Sequence, residues 1–220
     1  MKTVALTGSH VAVGKTALGT FLARRFDRVA ALCVTSLHRD SLAPSAKHID
    51  PFDLDVLAEE ERHAELDAAL GREPLHASQA FELVDAPKDL LVKGSDTRGY
   101  WDAGADPVWW LKAHPQAVVN GVNWVCELLA GEAAQASGAV PDILLIESDG
   151  FVEQGGAADV TLAVVPNGHE GLSEEGLARV VHADAFVLSK RRPGELRTPF
   201  LDDERIPSSK LDVPMFGFNR

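Results

Sequence analysis

The sequence lacks both the cysteines of a disulfide framework and the long apolar run of a membrane protein. Its 220 residues include two cysteines, Cys33 and Cys126, and each lies in an apolar stretch that suits a buried thiol. No apolar run approaches the roughly 18 residues that a membrane-spanning helix needs. The first residues also lack the apolar stretch and the cleavage site of a signal peptide. We therefore expect a soluble, cytoplasmic protein.

Basic residues are scarce as well, with 21 lysines and arginines against 33 aspartates and glutamates. The formal charge of −12 leaves no basic footprint for nucleic acid or for an anionic membrane, so neither is expected as a partner. Hydrophobic residues make up 45% and charged residues 25%, which is typical of a globular protein and not of a disordered one.

Short apolar runs alternate with amphipathic segments along the chain. The predicted strands cover residues 3–7, 29–35, 90–92, 108–111, 142–147, 160–165, 185–189 and 213–218. The predicted helices cover residues 16–26, 54–70, 75–83, 96–103, 116–130 and 173–182, and Ser173 is the candidate N-cap of the last one. This alternation predicts a single α/β domain over residues 1–220, with a mainly parallel sheet of about seven strands covered by helices on both faces.

A glycine-bearing loop joins the first strand to the first helix and reads Gly8-Ser9-His10-Val11-Ala12-Val13-Gly14-Lys15-Thr16. Free backbone N–H groups and the dipole at the start of a helix attract an anion. Gly14 allows a close approach to phosphates, Lys15 supplies charge for the terminal phosphates, and Thr16 offers a hydroxyl ligand for Mg²⁺. The pattern predicts a P-loop NTPase domain. The residues predicted at the nucleotide are Gly8, His10, Val13, Gly14, Lys15, Thr16 and Ala17.

The glycine spacing departs from the strict phosphate-loop pattern, which has four residues between its glycines. Here five residues separate Gly8 from Gly14, and Ser9 occupies the position of the strict first glycine. A chance Gly-Lys-Thr at a helix start is the alternative interpretation. The apolar strand before the loop and the amphipathic helix after it favour a phosphate loop.

Polar residues also follow other predicted strands, whose carboxyl ends meet at the ligand edge of a parallel sheet. Glu147 and Asp149 are predicted to hold Mg²⁺ together with Thr16. Asp40 is predicted to act in catalysis with Lys15, by orienting a water or by holding Mg²⁺ through water. Ser189 and Lys190 are predicted to contact the base, since a lysine can lay its aliphatic stem on a purine ring. Each of these residues is also consistent with an ordinary polar position in solvent.

The stretch from Thr7 to Thr16 resembles the long phosphate loop of dethiobiotin synthetase and of its cobyrinic-acid amidase relatives, which also have five residues between the glycines. These proteins belong to the SIMIBI class of P-loop proteins. The class includes the metallochaperone GTPases for hydrogenase and urease and the molybdopterin-guanine dinucleotide adapter protein. Residues 96–105 are similar to a helix of the adapter and hydrogenase-maturation proteins.

Two further stretches bear on the resemblance. The sequence Glu147-Ser148-Asp149-Gly150-Phe151 is closer to the Glu-Gly-Phe of the adapter than to the Glu-Gly-Ala-Gly-Gly of the synthetase relatives. Residues 159–190 look like the strand, helix and strand that lead to the Asn-Lys-x-Asp base motif of GTPases. Here that motif reads Ser189-Lys190-Arg191-Arg192, so both ATP and GTP stay open.

The resemblance implies a Mg²⁺-dependent nucleoside triphosphatase that supports metal or cofactor delivery or biosynthesis, with a client metalloenzyme as partner and a homodimer as its assembly. One alternative is an ATP-dependent ligase like dethiobiotin synthetase, which has a small-molecule substrate. The other is a P-loop protein that binds a nucleotide or a partner without catalysis. Residues 38–93 match none of these proteins, and partner or substrate specificity is expected there.

Overall fold

The computed structural model describes residues 1–10, 13–36, 81–85, 87–131, 140–166, 172–189, 206, 209 and 214–218. The described strands are β1 Lys2–Gly8, β2 Val29–Ser36, β3 Phe81–Val84, β4 Val108–Ala113, β5 Ile143–Glu147, β6 Val160–Pro166, β7 Ala185–Ser189 and β8 Met215–Phe218. The described α-helices are α1 Lys15–Ala23, α2 Pro87–Leu90, α3 Asp96–Asp102, α4 Val118–Ala130 and α5 Glu174–Val180, and a 3₁₀ turn, Pro115–Ala117, leads into α4.

The eight strands form one sheet in the order β3-β4-β2-β5-β1-β6-β7-β8. Every neighbouring pair is parallel except β3 and β4, which are antiparallel. The predicted mainly parallel α/β fold is therefore confirmed, with eight strands where about seven were expected. The carboxyl ends of the seven parallel strands lie at one edge of the sheet, next to the loop that follows β1.

Side chains that alternate along β2 show how both faces of the sheet are covered. Ala30 and Leu32 are fully buried against the apolar face of α4. Val29, Ala31 and Cys33 point to the other side, where Tyr100 of α3 and Ala23 of α1 cover them. A strand buried on both faces is apolar at every position, which is why this run is continuous in the sequence.

Two predicted elements are wrong. Residues 75–83 were expected to be helical, but Phe81–Val84 is a strand, and residues 75–80 lie outside the described part. The alternation of Phe-Glu-Leu-Val suits a strand with one polar face, and Glu82 pairs across the strands with Lys112. Residues 90–92 were expected to be a strand, but Leu90 ends the short helix α2, which begins at a proline.

The other described helices follow their predicted signals closely. The Ser95 side chain caps α3 by accepting a hydrogen bond from the backbone N–H of Arg98, and Ser173, the predicted cap of α5, accepts from the N–H of Gly176. The predicted helix 54–70 lies outside the described residues. Within the described part of the chain, no helix combines the length and the apolarity needed to span a bilayer.

Candidate functional site

The loop between β1 and α1 is held by its two glycines. Gly14 has φ 118° and ψ 20°, a left-handed conformation that favours glycine, and α1 begins at the next residue. A Cβ atom on Gly8 would lie 2.5 Å from Cγ1 of Val13, so only glycine lets the two ends of the loop pack this closely. Val11 and Ala12 lie outside the described residues. The start of α1 thus faces the carboxyl edge of the sheet.

Lys15, the first residue of α1, carries a buried charge at this edge. The residue is 8% exposed, and its Nζ atom lies 2.6 Å from Oδ1 of Asp149. Asp149 follows the carboxyl end of β5, the strand next to β1. A buried ammonium needs a partner of opposite charge, because desolvation of an unpaired charge is costly. In this structure the Asp149 carboxylate is that partner.

The Thr16 hydroxyl lies between two carboxylates that come from distant parts of the chain. Its Oγ1 atom is 2.7 Å from Oε1 of Glu147 and 2.8 Å from Oδ1 of Asp96. Glu147 is the last residue of β5, and Asp96 is the first residue of α3. Three oxygen-bearing side chains therefore meet directly beside the start of α1.

Tyr100 anchors the other oxygen of the Glu147 carboxylate. The fully buried Tyr100 hydroxyl donates a hydrogen bond of 2.7 Å to Oε2 of Glu147. This position of the ring depends on Gly19 in α1, because a Cβ atom there would overlap the tyrosine hydroxyl. The contact between α1 and α3 thus orients the carboxylate that faces Thr16.

Burial, followed by the nearby negative charge of Asp96, raises the pKa of Glu147 to about 7. The hydrogen bonds from Tyr100 and Thr16 and the charge of Lys15 act in the opposite direction. Burial, followed by the charge of Glu147, also raises the pKa of Tyr100 well above its ordinary value, so this residue stays a hydrogen-bond donor. Two neighbouring carboxylates, the buried Glu147 and the exposed Asp96, attract a cation, which would relieve their repulsion.

The donor set at Thr16 fits Mg²⁺. Hydroxyl and carboxylate oxygens are the hard ligands that Mg²⁺ prefers, and it is usually held by one or two carboxylates plus the phosphates of a substrate. Among the residues that the structure describes, no group of three or more histidine, cysteine, aspartate or glutamate side chains is suitably placed for a metal ion. The combination of a hydroxyl with two carboxylates therefore favours Mg²⁺ bound together with a phosphate, over a site made of protein ligands alone.

The predicted site residues fall into three groups. The first group meets around the start of α1 and consists of Gly8, Val13, Gly14, Lys15, Thr16, Glu147 and Asp149. The second group lies near it without a contact of its own to this centre. His10 is exposed and its Nδ1 atom lies 3.0 Å from Oγ of Ser9, Ala17 is half-buried on α1, and Ser189 is buried at the end of β7. The third group, Asp40 and Lys190, lies outside the described residues.

Sequence reasoning missed Asp96 and Tyr100 as members of the site. Asp96 was part of a helix resembling other proteins, but no role was assigned to it. It lies 80 residues from Thr16 in the sequence, so local patterns do not connect the two. The available signal was an aspartate directly after a serine cap, in the first turn of a predicted helix.

The fold and the loop together define an α/β protein with a P-loop domain fold. The first strand of a parallel sheet runs through a glycine-bearing loop into a helix that begins with Lys15 and Thr16. An adjacent parallel strand, β5, ends in the carboxylate of Glu147 at the same edge. This is the arrangement in which phosphates bind at a helix start and a strand-end acid lies beside them.

No protein-family model and no curated protein sequence matches this chain. Among solved structures, the MinC:MinD cell division protein complex of Aquifex aeolicus is similar at 16% identity and a TM-score of 0.37, over 98% of this chain and 79% of that one. The MinD cell division protein of Aquifex aeolicus is similar at 17% identity and a TM-score of 0.35, over 98% of this chain and 80% of that one. At these values the likenesses say nothing about function.

Proposed function

We propose that this chain binds a nucleoside triphosphate, ATP or GTP, together with Mg²⁺ at the β1–α1 loop and hydrolyses it. The observation that carries the proposal is the position of the Thr16 hydroxyl, 2.7 Å from Glu147 and 2.8 Å from Asp96, beside the buried ammonium of Lys15. If Gly-Lys-Thr stood at this helix start by chance, two acidic side chains from distant parts of the chain would not be expected beside it.

Each group has a distinct role in this proposal. The N–H groups at the start of α1 and the Lys15 ammonium bind the terminal phosphates and stabilise the charge that develops during phosphoryl transfer. A phosphate would replace Asp149 as the partner of Lys15. Thr16, Glu147 and Asp96 would hold Mg²⁺, with Asp149 as a further candidate ligand. When bound, Mg²⁺ neutralises charge on the phosphates.

Tyr100 is a positioning residue in this site. Its hydroxyl holds one carboxylate oxygen of Glu147, so that the other oxygen faces Thr16. Asp40 stays a proposed catalytic residue, and Ser189 and Lys190 stay proposed contacts of the base. The base motif departs from Asn-Lys-x-Asp, so the bound nucleotide is ATP or GTP.

The wider role follows from the resemblance of the phosphate loop to SIMIBI proteins. We propose that residues 1–220 act as one nucleotide-binding domain that supports metal or cofactor delivery, with a client metalloenzyme and as a homodimer. Analytical ultracentrifugation with and without nucleotide tests the assembly. A monomer under both conditions would exclude the homodimer.

Phosphate release from ATP and from GTP, measured with Mg²⁺ and with EDTA, tests the catalytic proposal. Lys15→Ala removes the charge that holds the terminal phosphates, so we expect nucleotide binding to weaken about 10- to 100-fold and turnover to disappear. Lys93→Ala, at an exposed lysine between α2 and α3, is the matched control and should behave like the unmodified protein.

Other outcomes separate the two alternatives. Turnover that requires an added small carboxylic acid would favour an ATP-dependent ligase. Tight binding of nucleotide without turnover under any addition would favour a non-catalytic P-loop protein. Binding that is the same in Lys15→Ala and in Lys93→Ala would exclude the loop as the nucleotide site.

A further inference from the structure

A second buried lysine lies at the same edge of the sheet as the phosphate loop. Lys112, the penultimate residue of β4, is 5% exposed. Its Nζ atom lies 3.5 Å from Oε2 of Glu82 and 4.7 Å from the centroid of the Trp110 ring. The Glu82 side chain is 62% exposed, whereas the Lys112 side chain is 6% exposed, so the ion pair joins a buried ammonium to a carboxylate at the surface. Burial of an ammonium is costly, and nucleotide binding at Lys15 makes no use of this one.

Thr35 on β2 lies across from Lys112 on β4. The two residues are register partners on β2 and β4, so their side chains project from the same face of the sheet. The indole Nε1–H of Trp110 donates to Oγ1 of Thr35 at 2.9 Å. The Thr35 oxygen is therefore an acceptor in this bond, and its own proton can be donated to a second group. An ammonium next to a hydroxyl donor is suited to an anion.

This pair lies close to the proposed nucleotide centre. In the sheet, β2 separates β4 from β5, so the strand of Lys112 and the strand of Glu147 are two spacings, or about 10 Å, apart. One row of register partners crosses these strands and consists of Trp110, Cys33 and Glu147. The next row on the same face, two residues nearer the carboxyl edge, contains Lys112 and Thr35. A small molecule held at Lys112 could therefore extend to the phosphate loop.

The two buried lysines share one arrangement. Lys15 and Lys112 each lie at the carboxyl edge, and each ammonium faces a carboxylate that is partly exposed, Asp149 in one case and Glu82 in the other. In the proposed function, a phosphate takes the place of Asp149 at Lys15. The same exchange at Lys112 would let an incoming anion take the place of Glu82.

We propose that Lys112 and Thr35 form a second anion subsite, which binds the carboxylate or phosphate group of a small-molecule substrate beside the nucleotide. Its role as a substrate site rests on the proposed function, because the nucleotide at Lys15 is the co-substrate. Glu82 occupies the subsite until that anion binds. Trp110 positions the subsite through its hydrogen bond to Thr35 and its contact with the Lys112 ammonium.

Calorimetric titration with inorganic phosphate tests the subsite in Lys15→Ala protein, whose phosphate loop has lost its charge. We expect a phosphate site that weakens at least about tenfold when Lys112→Met is added and that is kept when Lys112→Arg is added instead. Circular dichroism shows whether each variant is folded. Phosphate binding that Lys112→Met leaves unchanged, or no phosphate binding to the Lys15→Ala protein, overturns the proposal.

Glu82→Gln provides a second test that keeps the lysine in place. It removes the carboxylate that competes for Lys112, so phosphate should bind about threefold tighter or more, whereas a purely structural ion pair predicts no change. Unchanged phosphate affinity in Glu82→Gln would count against the subsite. Because these titrations use Lys15→Ala protein, they succeed or fail independently of nucleotide binding by the unmodified chain.

Discussion

At the scale of single residues, the site depends on charges that are buried and paired. Lys15 is 8% exposed and faces Asp149, and Glu147 is 8% exposed and is held by two hydroxyl groups. In a buried setting each charge acts strongly on its neighbours, because water does not screen it. Removal of one partner therefore leaves the other uncompensated, which makes single substitutions informative.

Gly14→Ala tests the conformation of the phosphate loop. Gly14 has φ 118°, and Gly155, at a turn after β5, has φ 85° with open space around its Cβ position. Alanine in the left-handed region costs about 1–2 kcal/mol, so both variants should lose similar stability in urea unfolding. Only Gly14→Ala should weaken nucleotide binding, by about tenfold or more, since the start of α1 would move. Equal nucleotide affinities in the two variants would contradict this prediction.

Glu147→Gln should change how stability depends on pH. The pKa of Glu147 is raised from 4.5 to about 7 in the folded chain, so the unfolded chain releases this proton at a lower pH. Ionisation of Glu147 therefore lowers stability as the pH rises from about 4.5 to about 7. The measurement is the free energy of unfolding of each protein in EDTA. The value for the variant minus the value for the unmodified protein should rise by on the order of 3 kcal/mol between about pH 5 and about pH 8. Parallel curves for the two proteins would show that Glu147 is not held in this environment.

At the scale of elements, α3 has a larger role at the site than its seven residues suggest. It carries Asp96 at its first position and Tyr100 one turn later, and both reach the centre at Thr16 and Glu147. α1 supplies Gly19, over which the Tyr100 ring fits. The packing of α3 on α1 thus sets the geometry of the proposed Mg²⁺ ligands.

Removal of the serine cap of α3 should affect the site, whereas removal of the cap of α5 should not. Ser95→Ala and Ser173→Ala each remove a side chain that accepts a hydrogen bond from a backbone N–H of its helix, which costs about 1 kcal/mol of stability. Ser95→Ala also loosens the first turn that carries Asp96, so the Mg²⁺ dependence of nucleotide binding should weaken several-fold (about threefold or more). Titration of Mg²⁺ at constant nucleotide measures this effect. The same Mg²⁺ affinity in both variants would show that the cap of α3 does not influence the Mg²⁺ site.

At the scale of the whole molecule, the proposed ligand binds to the central part of the sheet. β1 and β5 are interior strands, and the residues at their carboxyl ends contact α1 and α3. A ligand there contacts several elements of the folded chain that are far apart in the unfolded chain. Its binding free energy should therefore stabilise the fold as a whole.

The midpoint of thermal unfolding should rise when Mg²⁺ and nucleotide are added. At a nucleotide concentration of about 100 times the Kd, binding adds about 2.7 kcal/mol, which corresponds to about 5–10 °C for a chain of this size. Differential scanning calorimetry should show this rise in the unmodified protein and in Lys93→Ala, and a rise of about half this size or less in Lys15→Ala, whose binding should be about 10- to 100-fold weaker. A rise of the same size in Lys15→Ala would place the ligand elsewhere.

The amino-acid sequence by itself determined the elements whose signals are local. The apolar runs of β1, β5, β6 and β7, the cap at Ser173 and the glycine-bearing loop before Lys15 were all readable, because each depends on neighbouring residues. Phe81–Val84 was not, since a four-residue run at an edge becomes a strand through its pairing with β4.

Only the tertiary structure decided which distant side chains meet. The order of strands brings Glu147 to Thr16 across 131 residues, and the packing of α3 brings Asp96 to the same hydroxyl across 80. Likewise, Lys112 and Thr35 become neighbours because β2 and β4 pair in parallel register. Burial and pairing arise from contacts between elements, so the raised pKa of Glu147 and the charge pairs of both lysines have no signature in any one segment of the sequence.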